Sequence, residues 1–211
     1  MRVGSCTLLI GLWALCSPGF AATLVYEGYV AGVRVGSATL ELAISDGHYQ
    51  ITGSAAADGV VDWFSDWHSE FSAVGQLTDA KPTLSHYAYL QRDGASRREV
   101  RVADGTIHYR KNQRPPRSRP AFATPDLLTA LFVNPQCNDR WWVNTGRRNY
   151  RLERRPGKAD VCRYQVFDRH EDSFTIDLVL GQRFGHRVPI SMTAHALVRA
   201  RLVLVDEAPA L

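Results

Sequence analysis

Residues 39–47, which read TLELAISDG, decide the fold. The first six alternate polar and apolar side chains, so a strand with a period of two would bury one face and leave the other in water. Asp46-Gly47 then follows, a pair that favours tight hairpin turns because those turns need a positive φ, which glycine adopts without strain. The stretch therefore predicts a strand that enters an antiparallel hairpin.

The same alternation recurs along the chain, with turn signals between the runs. The alternating runs are residues 101–102, 106–109, 162–166 and 174–178, and the turn signals are Asp93-Gly94, Asp104-Gly105 and residues 155–158 (RPGK). We count about ten strands, which is enough for a sheet to curl or close. The pattern predicts a mainly β, single-domain antiparallel meander curled into an open, barrel-like sheet.

Residues 124–133 (TPDLLTALFV) break the strand pattern. Thr124 is placed as an N-cap, Pro125 at the first helical position and Asp126 in the first turn. The four apolar residues that follow form a helical stripe, and Asn134-Pro135 would end the helix. We expect one short helix over about 124–133 that plugs or caps the concave face of the sheet. The preceding residues 110–120 (RKNQRPPRSRP) have no periodicity and are predicted to be a flexible loop.

The N-terminus has the features of a secretory signal peptide. A basic start is followed by the apolar residues 7–15 (TLLIGLWAL) and by small residues that place a cleavage before Ala22. An anchor would need about 20 apolar residues, so this run is too short. The sequence predicts a signal peptide over residues 1–21, and a single β-rich, soluble, periplasmic domain over residues 22–211.

Export would leave two of the four cysteines in the mature chain, Cys137 and Cys162. In an oxidising compartment two cysteines most simply form one disulfide. The alternative, a reactive thiol or a metal pair, has no CxxC spacing and no nearby histidine at ligand spacing to support it. We therefore predict a structural disulfide.

The net charge of +4 is unevenly distributed. Acidic residues dominate residues 22–93, and arginines dominate residues 97–163. Such a basic block attracts an anionic partner. Outside the cytoplasm that partner would be an anionic lipid or another amphipathic envelope molecule, and nucleic acid is not expected. The alternative is that these arginines cover solvated strand faces and loops.

A series of short motifs runs in a fixed order through nearly the whole mature chain. They are Tyr26, Tyr29, Val35-Gly36, Gly75, Lys81-Pro82, residues 124–131, Cys137, residues 147–150, Cys162 and residues 187–189. This order resembles the bacterial exported family catalogued as domain of unknown function 3108. Thr129 stands where that family has serine, and Thr145-Gly146 stands where an Asp-Gly is expected. The resemblance implies a periplasmic, β-rich fold and no assigned activity.

Residues 62–71 (DWFSDWHSEF) hold the one acidic and histidine-containing cluster that could do chemistry. On a strand, Asp66, His68 and Glu70 would share one face, and Trp63, Trp67 and Phe71 would lie on the other. The first face could be a hydrolase or cation site, or simply solvated surface. On a helix, Trp63, Trp67 and Phe71 would instead stack on one side.

The remaining candidate features are aromatic residues and histidines. Tyr87, Tyr89 and Trp141-Trp142 join the aromatic stripe as either the wall of a ligand cavity or an ordinary core. None of the seven histidines has metal-ligand spacing, so we expect no metal or other cofactor. The sequence also contains no GxSxG, P-loop or GxGxxG motif.

The sequence favours a non-catalytic periplasmic binding or carrier module for an apolar or amphipathic cell-envelope molecule. The residues predicted to line the cavity are Trp63, Trp67, Phe71, Leu128, Leu131 and Phe132, and those predicted at its anion-binding end are Arg114, Arg117 and Arg119. The main alternative is an envelope-assembly factor that binds a partner protein through strand edges and the basic loop. A hydrolase that uses Asp66, His68 and Glu70 is the third hypothesis.

Overall fold

A computed structural model of the chain describes residues 19–58, 66–79 and 81–209. These residues form one antiparallel sheet of fourteen strands with a single short helix, which confirms the predicted open, barrel-like meander. The strands are β1 (Phe20–Val30), β2 (Val33–Ser45), β3 (His48–Ala57), β4 (His68–Thr78), β5 (Lys81–Asp93), β6 (Ser96–Ala103), β7 (Thr106–Lys111), β8 (Arg117–Pro120), β9 (Arg140–Asn144), β10 (Asn149–Arg155), β11 (Val161–Phe167), β12 (Ser173–Arg183), β13 (His186–His195) and β14 (Arg199–Pro209), and the helix is α1 (Leu127–Phe132).

The sheet consists of two meanders joined at its centre. Strands β1 to β8 form the first meander and β9 to β14 form the second, and β14 pairs with β1. The two outer edges, β8 and β9, are not paired with each other, so the sheet curls without closing. The segment that connects them carries α1, which contacts β13 and β9.

The Asp-Gly turns adopt the predicted geometry where both residues lie between strands. Asp46 and Gly47 have φ values of 48° and 73° between β2 and β3, and Asp104 and Gly105 have 49° and 68° between β6 and β7. Two consecutive positive φ values are the signature of a type I′ turn, whose twist matches that of the flanking strands. Local turn chemistry therefore sets the register of these hairpins.

The loop between β9 and β10 packs against the inner face of the first meander. A Cβ on Gly146 would lie 2.7 Å from Val100 Cγ1 and 3.0 Å from Tyr87 Cε1, on the inner face of β5 and β6. The φ of Gly146 is also positive, at 69°. Glycine is needed here because the second meander touches the first at this point and a side chain would hold them apart.

The prediction of a flexible loop over residues 110–120 was wrong in part. Arg117–Pro120 pairs with β7 as the short edge strand β8. All four of its side chains are exposed, so the sequence has no alternation to reveal it. Arginines and a proline on an edge strand also discourage further strand pairing.

The helix is shorter than predicted, and its N-cap is Asp126 instead of Thr124. Thr124 and Pro125 are used to attach the connecting segment to β9 and β10. The Asn144 amide donates to the Pro125 carbonyl at 2.9 Å, and the Thr124 hydroxyl donates to Asn149 Oδ1 at 3.0 Å. The last residue of α1 is Phe132, two residues before Asn134-Pro135.

The predicted disulfide between Cys137 and Cys162 is confirmed, with Cα atoms 5.5 Å apart. That separation is ordinary for a disulfide. Cys162 is fully buried on β11, and Cys137 follows α1 in the connecting segment. The bond therefore ties the chain that leaves the helix to the sheet.

The residues described include the end of the predicted signal peptide but not its first eighteen residues. Phe20 and Ala21 belong to β1: Ala21 pairs with Ala43, and the Phe20 ring lies 4.7 Å from the ring of His186. The signal peptide and its cleavage before Ala22 stay predictions. Within the part of the chain that the structure describes, no helix has the length and apolar character needed to span a bilayer.

Candidate functional site

The start of α1 is held inside the curled sheet by buried hydrogen bonds. The Asp126 carboxylate accepts from the Thr129 amide at 3.0 Å and from the Thr129 hydroxyl. A further hydrogen bond of 3.0 Å joins the Thr129 and Tyr49 hydroxyls, across from β3. Asp126, Thr129 and Tyr49 are all essentially inaccessible to water. An N-cap of this kind satisfies helix amides that would otherwise be buried without partners.

Burial dominates the ionisation of this cluster. It raises the pKa of Asp126 above the ordinary value of 3.8, against the opposing effect of its hydrogen bonds with Thr129. It also raises the pKa of Tyr49 to about 12. Tyr49 is therefore a neutral hydroxyl at physiological pH, suited to hydrogen bonding in a structural role.

The other end of α1 is attached to the opposite side of the sheet. The His186 ring nitrogen Nε2 donates to the Phe132 carbonyl at 2.8 Å. The Phe132 ring packs edge-on against Tyr26, with centroids 6.0 Å apart, and Tyr26 donates to the Pro189 carbonyl at 2.7 Å. Both ends of α1 are therefore attached to the sheet, and the helix forms the floor of the open space above it.

A cavity of about 510 Å³, partly open to solvent, lies between α1 and strands β9 to β14, with residues of β1 and β2 also in its lining, and we call it the large cavity. Its inner surface is almost wholly apolar. The side chains that form it include Leu131, Trp141, Val143, Leu152, Val166, Phe174, Ile176, Leu178, Met192 and Leu202. Small-molecule sites in proteins typically have about 300–1,000 Å³ and linings of this kind.

Small residues on neighbouring strands create the space. Ala194 on β13 is paired with Ala200 on β14, and Ala200 lines the cavity beside Gly28 of β1. Larger residues at these inward positions would fill the volume, as they do deeper in the sheet where Leu24 and Tyr26 are buried. The cavity therefore exists because glycine and alanine occupy these inward-facing positions of the strands.

A second cavity of about 320 Å³ lies on the other side of α1, and we call it the tyrosine cavity. It is formed against β4 to β7 by Phe71, Tyr87, Tyr89, Gln91, Arg98, Val100 and Tyr109, with Leu127, Leu128, Thr145 and Arg147 opposite. Burial raises the pKa of Tyr87 and of Tyr89, so both phenols are neutral. This cavity combines aromatic walls with two guanidinium groups.

The structure separates the apolar residues predicted to share one cavity. Leu131 lines the large cavity, and Phe71 and Leu128 line the tyrosine cavity. Phe132 packs into the core against Tyr26. Trp67 lies just before β4 and is in the lining of neither cavity, and Trp63 lies outside the described residues.

The arginines predicted at the anion-binding end lie on the outer edge. Arg114 is in the β7–β8 turn, and Arg117 and Arg119 are on β8; all three are exposed and line neither cavity. Arg119 stacks on Phe122 at 4.6 Å and donates to the Arg147 carbonyl. The sequence did not lead us to the two arginines that line the tyrosine cavity, Arg98 and Arg147. Arg98 could have been found, because it alternates with Val100 and Val102 on β6 and so points inward.

Many residues of the basic block form ion pairs on the outer face of the sheet. Arg101 and Arg110 lie 2.7 and 2.6 Å from the carboxylate of Glu99, and Arg163 lies 2.6 Å from that of Asp177. These arginine hydrogen bonds lower the pKa of both Glu99 and Asp177. These arginines therefore cover a solvated strand face, which was the alternative explanation of the basic block.

The residues of the hydrolase hypothesis are at the surface. His68 and Glu70 lie on the outer face of β4, with Nε2 3.3 Å from Oε1, and both side chains are 40% exposed or more. Asp66 is exposed ahead of the strand. The arrangement is not a cleft with a buried histidine, and the described residues contain no group of three side chains placed to hold a metal ion.

Comparison with known proteins supports the fold. No family model and no curated protein matches the chain. Among solved structures, the chain is similar to a β-barrel-like protein of domain of unknown function DUF1849 from Brucella abortus. The two share 9% sequence identity with a TM-score of 0.51, and the match covers 91% of this chain and 98% of that chain. This likeness shows a β-barrel-like fold, and the resemblance to domain of unknown function 3108 stays a prediction.

Proposed function

We propose that this chain is a non-catalytic binding or carrier module for an apolar or amphipathic molecule of the cell envelope. The observation that carries the proposal is the large cavity of about 510 Å³ above a helix that is fixed at both ends. The cavity is partly open to solvent, and its wall is almost wholly apolar. An apolar wall in contact with water is stabilised when an apolar ligand covers it.

The cellular setting belongs to the same proposal. The predicted signal peptide would deliver the chain to the periplasm, where the Cys137–Cys162 disulfide can form and persist. Apolar envelope molecules must cross that aqueous space in a sheltered form. A distant relationship to domain of unknown function 3108, an exported family, would agree with this setting.

The assembly-factor alternative has weaker support. It would need free strand edges for a partner protein, yet β8 carries arginines and a proline. The other edge strand, β9, is already engaged at Asn144, which forms a bridge with Asp126 and whose amide donates to the Pro125 carbonyl. We therefore place binding inside the sheet and not along its edges.

Filling the large cavity tests the proposal. In Ala194→Phe the new ring would occupy the inward space opposite Ala200. We therefore expect the affinity for a fluorescent apolar probe to fall roughly ten- to a hundredfold. That factor corresponds to the free energy of burying about one apolar side chain. The matched control is Ala88→Phe, which adds the same ring to the outer face of β5 and should bind as the wild type does. Probe titration and a thermal melt of each variant provide the measurement.

Two results would contradict the proposal. One is a wild-type protein that does not bind the probe. The other is a folded Ala194→Phe protein that binds the probe as tightly as the wild type and the Ala88→Phe control.

A further inference from the structure

Two cations face each other on the inner surface of the sheet beside the tyrosine cavity. Arg98 of β6 is paired with Lys111 of β7 on one side and with Gln91 of β5 on the other. Arg98 shares the inward face of β6 with Val100, and Lys111 shares the inward face of β7 with Tyr109. Like charges directly opposite each other on a sheet are destabilising. The fold therefore tolerates an unfavourable pair at this position.

The nearest acid on the same strand does not neutralise this pair. Glu99 points to the outer face, where it binds Arg101 and Arg110. Among the described residues, no carboxylate forms an ion pair with Arg98 or Lys111, although both side chains are half-buried. A half-buried cation without a counter-charge is costly, and a bound anion would offset that cost.

A third cation comes from the other meander. Arg147, in the β9–β10 loop, lines the tyrosine cavity together with Arg98, and its guanidinium carbon lies 5.3 Å from the centre of the Tyr109 ring. Arg147 is exposed, and this stacking places its guanidinium at the wall of the cavity. Arg98, Lys111 and Arg147 together form what we call the inner cation cluster.

The two cavities meet at the start of α1. Leu127 and Thr145 line both of them. Leu127 is 37% exposed although it lies within the curl of the sheet, because its side chain borders open space on either side. One elongated molecule could thus lie in the large cavity and reach past Leu127 into the tyrosine cavity.

We propose that the inner cation cluster binds the anionic head group of a single-chain amphiphile whose hydrocarbon chain occupies the large cavity. The inference rests on the proposed function and narrows its ligand class to a long-chain carboxylate or phosphate monoester. The guanidinium of Arg98 donates hydrogen bonds to the head-group oxygens, and Arg147 and Lys111 supply further positive charge. Tyr109 and Tyr89 form the aromatic walls around the head group.

Paired ligands that differ only in the head group test this assignment. We expect laurate and dodecyl phosphate to bind the mature protein at least about tenfold more tightly than dodecanol, since a charge-assisted hydrogen bond of roughly 1.5–3 kcal/mol corresponds to that factor or more. Arg98→Gln and Arg147→Gln should each reduce that preference while leaving dodecanol binding unchanged. The matched control is Arg92→Gln, an exposed arginine on the outer face of β5, which should keep the full preference.

A thermal melt separates this role from a structural one. Because Arg98 faces Lys111, Arg98→Gln removes a repulsion, so its melting temperature should equal or exceed that of the wild type. A role in holding the fold together would instead lower it. Binding sites commonly keep such destabilising residues for function.

Each remaining outcome decides between the two proposals. If laurate, dodecyl phosphate and dodecanol bind equally, the head-group site is wrong and the apolar carrier stands. If acetate or inorganic phosphate displaces the probe as well as laurate does, the cluster is a simple anion site and the amphiphile is wrong. If none of the long-chain ligands binds, the carrier proposal fails as well.

Discussion

Replacing Cys137 with serine is expected to lower the free energy of unfolding by roughly 3.5 kcal/mol under oxidising conditions. The disulfide with Cys162 spans 25 residues of sequence, and closing a loop of that length restricts the unfolded chain by about this amount in the chain-entropy model. For a domain of this size the loss corresponds to a fall in melting temperature of about 10 °C. Differential scanning calorimetry with and without a reducing agent measures it.

The reducing agent supplies the matched control. It should destabilise the wild type to about the level of Cys137→Ser and should leave the variant unchanged. Cys137 is the better site for the substitution because it is only half-buried, whereas Cys162 is packed in the core. An unchanged melting temperature in Cys137→Ser under oxidising conditions would mean that the bond does not stabilise the fold.

Replacing Asp126 with alanine is expected to cost about 3 kcal/mol of stability. The helix would lose an N-cap, worth roughly 1 kcal/mol, and the amide and hydroxyl of Thr129 would lose a buried acceptor, at about 1–3 kcal/mol. Because α1 forms the floor of both cavities, probe binding should weaken along with stability. Chemical denaturation and probe titration measure the two effects.

Asp126→Asn is the matched control and adds a test by pH. Its side-chain oxygen can still cap Thr129, so at neutral pH we expect it to lie within about 1 kcal/mol of the wild type. Burial raises the folded-state pKa of Asp126 above 3.8, so the folded wild type binds this proton more tightly than the unfolded chain. The stabilisation that comes from this proton is therefore complete at pH values below the pKa of the unfolded chain. It is lost as the pH rises through the pKa of the folded protein.

Denaturation of both proteins from acid to neutral pH checks that sign. Relative to Asp126→Asn, the wild type should lose stability as pH rises above about 3.8, the ordinary aspartate value. A difference that grows in the opposite direction would mean that the folded state holds Asp126 ionised by its hydrogen bonds, so that burial is not the dominant effect.

The alternating runs predicted from the sequence correspond to five strands, β2, β6, β7, β11 and β12, and the described residues form fourteen strands instead of about ten. Residues 39–47 and 104–109 carry both alternation and an Asp-Gly pair, and each forms its hairpin because these signals act between residues that are close in sequence. Edge strand β8 was missed because its four residues are all exposed. The helix start was misplaced because Thr124 and Pro125 are used by strands that lie about 20 residues further on.

The candidate site depends on contacts that no local pattern encodes. Leu131 and Phe132 are neighbours on one helix, yet one borders a cavity and the other packs into the core. Ala194 and Ala200 leave open space only because β14 returns to pair with β1. The inward position of Arg98 could be read from alternation on β6, but its approach to Arg147 depends on how the second meander folds against the first.

The central claim is that the interior of this sheet carries an apolar or amphipathic molecule. Native mass spectrometry of the mature protein purified from the periplasm, followed by solvent extraction, tests it most directly. We predict a mass above that of the polypeptide by one small molecule per chain, which solvent releases as a long-chain anionic compound. A clean polypeptide mass with nothing extractable would contradict the account.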